Sequence, residues 1–250
     1  RLDIPVMIAA AAALWVLGAN GSLSRIEAVG LVLALIAYFI WTVTKGRSEQ
    51  KQLEAELEGL SPAGGAGAIT LAVAQFVAGL VLLVGGANYL VQGCTELAVA
   101  FGVSELVIGL TVTAIGTSLP ELVTSLMAAL RGKRDLAVGN VVGSNILNIL
   151  AVLGISGAVS PTGIPVSGDA LGFHIPLMVA VSVVCFPVFF TGLAIVRAEG
   201  VAMLLFYAAY LGYAAYAART HTPGAAVTLA FVAGLAVIGG VSVAFGRRAA

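Results

Sequence analysis

The chain has 250 residues, 60% of them hydrophobic and only 10% charged, with a formal net charge of zero. A water-soluble domain carries about a quarter charged residues, so this balance, with a mean hydropathy of +1.07, points instead to a polytopic membrane protein. Zero net charge leaves no basic footprint for nucleic acid, and the two cysteines, Cys94 and Cys185, fall in apolar runs that indicate no disulfide or zinc framework.

Crossing about 30 Å of hydrocarbon takes about 20 apolar residues. In chain order, eight runs reach that length once tilt and half-helices are allowed: 4–19, 24–44, 68–95, 103–130, 136–159, 174–191, 199–217 and 225–246. The expected fold class is all-α, with about eight transmembrane helices. Residues 45–67 are hydrophilic and close on a Pro/Gly run, which reads as a solvated loop holding a helical turn or two. If that loop is cytoplasmic and the spans alternate, the inner loops collect Arg1, Lys45, Arg47, Lys51, Arg131, Lys133, Arg134, Arg197, Arg247 and Arg248. The outer loops then hold only Arg25 and Arg219, a split of ten to two that satisfies the positive-inside rule.

An internal repeat runs through the spans. Residues 4–7, "IPVM", recur at 175–178 as "IPLM"; Arg25 and Glu27 recur as Arg197 and Glu199, and Tyr38 as Tyr210, at an offset of 171 to 172. These matches pair the first span with the sixth, so an odd number of crossings separates the copies and they face opposite ways. Inverted repeats of this kind mark secondary transporters. Shifting the block at 68–160 back by the same offset places its twin before residue 1, so a fragment lacking that block is expected.

The fourth span carries the chemistry. Of the twelve acidic residues, only Glu121 lies deep inside a span. A carboxylate at mid-bilayer costs at least about 2.5–3.5 kcal/mol, so it faces a wet cavity or bundle interior and binds something positive. The competing reading is a protonated carboxyl bonded to a neighbouring helix. Ala114, Thr117, Ser118 and Glu121 are spaced 0, 3, 4 and 7, which puts them on one helical face. Pro120 has no N–H and clashes with the carbonyl of Gly116, so the helix is expected to break near 114–117 and free carbonyl oxygens. Carbonyls, two hydroxyls and a carboxylate form a hard-oxygen set suited to Ca²⁺ and similar cations.

In the fifth span, Asn140, Ser144 and Asn148 line one face with Asn145 beside them, and Gly139 and Gly143 invite a close-packed helix. Taken alone, that face is accounted for equally well by ordinary interhelical hydrogen bonding; opposite a broken helix bearing Glu121, ligand or ligand-support roles are favoured over it. His174 reads as interfacial, Tyr207, Tyr210, Tyr213 and Tyr216 as core or belt aromatics, and Gln92 and Thr95 as packing residues.

The segments "GTSLPE" at 116–121, "RGKRD" at 131–135 and "GNVVGSNILNI" at 139–149 together resemble the α-repeat of the sodium/calcium exchanger family, in the cation/Ca²⁺ antiporter superfamily. The helix pairs beginning "RIEA" at 25 and "RAEG" at 197 are similar to the ends of its half-repeats, and the resemblance covers residues 1 to about 217. It implies an inverted-repeat fold of ten spans in two five-helix halves, each half giving one α-repeat to a central ion cluster. On that plan residues 1–45 are the last two helices of the first half-repeat and 46–67 a cytoplasmic loop. Residues 68–218 are then the second repeat, with its α-repeat at about 103–155, and 219–250 an additional C-terminal helix.

Carried over residue by residue, the resemblance makes Glu121 the carboxylate shared by Ca²⁺ and Na⁺. It gives the carbonyl and hydroxyl of Thr117 to Ca²⁺, and the Ala114 carbonyl, Ser118 and Ser144 to Na⁺. Asn148 stands where many relatives have Asp and others Asn, which lowers the negative charge of the site. The implied function is secondary-active exchange of Na⁺ for Ca²⁺ in the cell membrane, by a multi-pass protein with no cofactor beyond the transported ions. The implied partners are the bilayer and an N-terminal half-repeat of the same protein. H⁺- or K⁺-coupled exchange remains a neighbouring alternative, and a channel subunit or non-transporting scaffold a distant one. An enzyme is least expected, because no nucleophile–base pair or metal motif is visible.

Overall fold

The computed structural model describes residues 3–56, 66–103, 108, 112–190, 197–220 and 225–249. The sequence supplies helix formers in long apolar runs, and the fold is correspondingly helical. Five helical segments are long and apolar enough to cross a membrane: Arg25–Gly46, Thr70–Ala100, Arg134–Val159, Ala170–Pro187 and Arg197–Ala217. Three shorter apolar helices, Asp3–Gly18, Leu119–Leu130 and Val227–Gly240, fall on the remaining expected runs. Large side chains such as Ile26, Leu82 and Phe101 are exposed along these helices, as lipid-facing residues are. The chain is a multi-pass integral membrane protein of the all-α class.

Helix α1 (Asp3–Gly18) buries Ile4, Met7, Ala11 and Leu14, a three-to-four spacing that makes one stripe. It ends in a turn through Gly21, whose φ of +88° suits glycine, and Asn20 Oδ1 accepts the N–H of Ser22 at 3.0 Å. Helix α2 (Arg25–Glu56) opens on a capping box: Glu27 Oε2 accepts from the Ser24 N–H at 2.8 Å and from its hydroxyl at 2.6 Å. This helix runs through residues 45–56, where a loop with a turn or two was expected. Lys, Glu, Gln, Leu and Ala dominate that stretch and the first proline waits at 62, so nothing in it stops a helix.

Helix α3 (Ala66–Ala100) ends at Gly102, which has φ +72°. There Val103 N–H reaches Ala98 O at 3.0 Å and Gly102 N–H reaches Val99 O at 2.9 Å, a Schellman cap. Then come α4 (Ala114–Thr117), α5 (Leu119–Leu130) and α6 (Arg134–Leu147), with a second Schellman cap at Gly132, φ +74°. A π-helical stretch, Asn148–Leu153, joins α6 to α7 (Gly154–Val159), and another, Ala170–His174, leads into α8 (Ile175–Phe190). Helices α9 (Arg197–Thr220) and α10 (Ala225–Ala249) complete the chain.

Helix α8 lies between α1 and α10, α6 packs against α1 and α5, and α2 packs along α7. The main core joins α1, α2, α6 and the π-helical stretch through residues such as Met7, Leu31, Val142, Ile146 and Leu150. The close helix approach is made by Gly157 and Gly154: a Cβ on Gly157 would lie 2.7 Å from Ala28 Cβ, and one on Gly154 would lie 3.2 Å from the Val32 amide. Gly139 and Gly143, the pair expected to make such a contact, meet nothing within 4 Å among the described residues.

A two-residue antiparallel pairing, Ser22–Leu23 (β1) with Ile164–Pro165 (β2), clasps the α1–α2 and α7–α8 connections. Arg25 Nε also donates to Ala158 O at 3.1 Å, and Thr228 Oγ1 donates to Gly172 O at 2.7 Å. All three contacts join connections that eight alternating spans place on one face. The repeat also has a physical counterpart. Tyr38 OH donates to Asp3 Oδ1 at 3.0 Å, and the matching Tyr210 OH lies 3.1 Å from Nδ1 of His174, the residue preceding the second "IP". A Cβ on Gly18, at the end of α1, would sit 3.6 Å from Leu171, near the start of α8, so the two helices run antiparallel. The Asp3 and His174 contacts therefore lie at opposite ends of the α1–α8 pair.

Candidate cation site

The helix breaks where Pro120 requires. The helical run stops at Thr117 and resumes at Leu119, and between them Ser118 has φ −91° and ψ 0°. The Ser118 N–H turns back to Ile115 O at 3.1 Å instead of reaching Ala114 O. The Ala114 carbonyl is left to side chains: the hydroxyls of Thr117 and Ser118 both donate to it, each at 3.2 Å. Ala114, Thr117 and Ser118 are exposed, so these oxygens are gathered on an open face. Gly116 is buried against α3, and a Cβ there would collide with the Val91 side chain. Its glycine therefore serves close packing as well as the bend foreseen from the sequence.

Glu121 lies in the first turn of α5, where the positive end of the helix dipole favours a negative charge. The residue is half-buried, yet its Oε2 is fully buried and has no hydrogen-bond partner among the described residues. An unpaired buried carboxylate oxygen costs several kcal/mol on the order-of-magnitude scale for buried charge, and a bound cation removes that cost.

Asn140 holds the Glu121 backbone. Its Nδ2 lies 3.1 Å from Glu121 O, 2.9 Å from Thr124 Oγ1 and 2.9 Å from Ser125 Oγ. Thr124 Oγ1 in turn donates to Pro120 O at 2.8 Å and to Glu121 O at 3.1 Å. These bonds lock the turn carrying the carboxylate to α6. Sequence reading put Asn140 on a face expected to make interhelical hydrogen bonds or support the ligands, as these bonds do, but it missed its partners Thr124 and Ser125. The available signal was their spacing of three and four from Glu121.

The remaining expected ligands stand apart from this group. Ser144 is half-buried and its hydroxyl donates to Val141 O at 3.0 Å, on its own helix. Asn148 is exposed and makes no side-chain hydrogen bond to a described residue, at the point where α6 loosens into the π-helical stretch. Both lie on the Asn140 face, one and two turns further along. Asn145 turns elsewhere: its Nδ2 donates to Val141 O at 2.8 Å and it borders a cavity beside α8. Among the described residues no three His, Cys, Asp or Glu side chains gather in one place. The donors available to a cation are thus one carboxylate with hydroxyl, carbonyl and amide oxygens.

A family model described as sodium/calcium exchanger protein matches residues 71–216. The chain is 41% identical over 149 residues to the inner membrane protein YrbG of Escherichia coli K12, covering 60% of this chain and 45% of that protein. It is 37% identical over 126 residues to the sodium/calcium exchanger MaX1 of Methanosarcina acetivorans, covering 50% of this chain and 35% of that protein. The matched region thus spans less than half the length of either relative. No solved structure matches the chain.

Proposed function

This chain belongs to the sodium/calcium exchanger family, and from that premise we propose that it forms part of a secondary-active antiporter exchanging Na⁺ for Ca²⁺ across a cell membrane. The observation that carries the proposal is the buried, unpartnered Oε2 of Glu121 beside a broken helix whose hydroxyls converge on a freed carbonyl. Glu121 is the carboxylate for which the two ions compete. Thr117, Ser118 and the Ala114 carbonyl supply neutral oxygens, and Ser144 and Asn148 approach from α6 when the helices close on an ion. A second, inverted copy of the motif completes the ligand set, as the repeat implies.

Exchange follows from charge. With no ion bound, occluding the site strands a carboxylate in low dielectric at a cost of at least about 2.5–3.5 kcal/mol, so the empty site does not change its facing. Na⁺ or Ca²⁺ neutralises it, and overlapping ligands prevent both loads from binding fully together. Asn148 contributes an amide where a carboxylate would add charge, so coupling to K⁺ or H⁺ is the neighbouring reading, separated by replacing Na⁺ with each in a flux assay. Glu121→Gln in the full-length protein is expected to abolish Na⁺-driven ⁴⁵Ca²⁺ uptake in vesicles. Uptake near the wild-type level would remove Glu121 from the role assigned to it.

A further inference from the structure

A cavity of about 330 Å³ opens between α8 and α9, away from the Glu121 face. Helix α9 packs on α10, and it meets the α8 side through the Tyr210–His174 contact and through the rings of Phe173, Tyr210 and Tyr213. His174, Ser182, Met203, Tyr207 and Tyr210 line it, Leu235 of α10 closes one side, and Asn145 of α6 forms a polar point in its wall. From His174 to Ser182 the cavity follows α8 for about 12 Å, a fraction of the bilayer thickness.

The lining constrains the occupant. Among the described residues the lining holds no Asp, Glu, Lys or Arg, so neither an ion nor a charged head group finds a carboxylate, ammonium or guanidinium partner there. Several polar atoms are nevertheless unused. His174 Nδ1 is taken by Tyr210 and Asn145 Nδ2 by Val141 O, which leaves His174 Nε2, Asn145 Oδ1 and the Tyr207 hydroxyl without a partner among the described residues. Asn145 and Tyr207 are exposed residues, and His174 Nε2 is not among the sealed, unpaired atoms, which are Glu121 Oε2 and Tyr213 OH. Ser182 is buried and already donates to Met178 O at 2.8 Å, so it contributes shape more than polarity. Whichever way the Tyr210–Nδ1 hydrogen bond runs, Nε2 is left to donate in one tautomer or to accept in the other, and the Tyr207 hydroxyl and Asn145 Oδ1 add a donor and an acceptor to the wall.

We propose that this cavity binds an uncharged single-chain amphiphile, with the head-proximal part of its chain between α8 and α9, the remainder passing into the bilayer, and its hydroxyl-bearing head on His174, Tyr207 and Asn145. A monoacylglycerol has that chemistry. The site stands independently of the ion-exchange reading, because it uses none of the candidate cation ligands. It does back on them, since Asn145 and Ser144 share the Val141 carbonyl.

The test is equilibrium binding of tritiated monoolein to the purified full chain in detergent, with no ion gradient present. Saturable uptake of one monoolein per chain is expected, displaced by unlabelled monoolein at least about tenfold better than by oleate, whose charge the lining cannot match. Met203→Trp fills the cavity and is expected to cut affinity about tenfold. Tyr207→Phe keeps the ring and its packing and is expected to weaken binding about threefold through the lost hydroxyl. Non-saturable uptake, or displacement by oleate as strong as by monoolein, overturns the proposal. So does wild-type affinity in Tyr207→Phe, a variant that leaves the fold undisturbed.

Discussion

Asn140 offers the sharpest quantitative test of the site. Its Nδ2 has two hydrogens and three acceptors within 3.1 Å, so at any moment it makes two of the bonds to Glu121 O, Thr124 Oγ1 and Ser125 Oγ. Each such bond is worth about 0.5–1.5 kcal/mol net, so Asn140→Ala forfeits about 1–3 kcal/mol of clamping between α5 and α6. Asn140 is half-buried, and water substitutes for part of what is lost, which favours the lower half of that range. If the clamp holds Glu121 in its ion-binding position, about 1–2 kcal/mol of it translates into a half-saturating Ca²⁺ concentration raised about 5- to 30-fold. Asn140→Asp, nearly identical in shape, turns the donor into an acceptor facing the Glu121 carbonyl and should do at least as much harm. The assay is ⁴⁵Ca²⁺ uptake against Ca²⁺ concentration in vesicles holding the full-length protein, with expression and melting temperature measured alongside. A half-saturating concentration within twofold of wild type for both variants would refute the idea that Asn140 positions the carboxylate.

Two further predictions concern glycines at close approaches. Gly116→Ala drives a Cβ into the Val91 side chain and is expected to lower uptake severalfold, and adding Val91→Ala should restore most of it; a double variant no better than the single one would show that the bend, not the packing, needs the glycine. Gly157→Ala sets a methyl 2.7 Å from Ala28 Cβ and is expected to destabilise the α2–α7 contact by about 1–3 kcal/mol, seen as a lower melting temperature in detergent, while Gly139→Ala, facing open space, leaves it unchanged.

What sequence alone conveyed follows from which forces are local. The break after Thr117 was legible because a proline and the carbonyl four residues before it interact within one turn. The eight apolar runs were legible because hydrocarbon thickness sets their length. Helix α2 outran its expected end because solvation marks where a membrane segment stops, not where a helix stops. The β1–β2 clasp joins residues 22–23 to 164–165, and a two-residue pairing between loops so distant in sequence leaves no periodic trace. Small-residue spacing pointed to Gly139 and Gly143 when the neighbour came to Gly154 and Gly157, since spacing reveals a possible approach but not which partner makes it. At the site, residue types and faces were readable, but the clamp of Asn140 on the Glu121 peptide depends on how α5 and α6 meet.

The matched tyrosines show what duplication preserved and what it released. Tyr38 ties α2 to an acid at the head of α1, while Tyr210 ties α9 to an imidazole at the head of α8, about 24 Å away if the span of α1 is taken at helical rise. Placement was inherited, but the chemistry drifted. One rim of the molecule is fastened through a group that only receives protons in its charged state, the other through a ring able to do both. In the antiporter proposed above, mirrored halves would thus meet the two watery surroundings with unlike fastenings, and a resting preference for one side need not be set at the ion pocket at all.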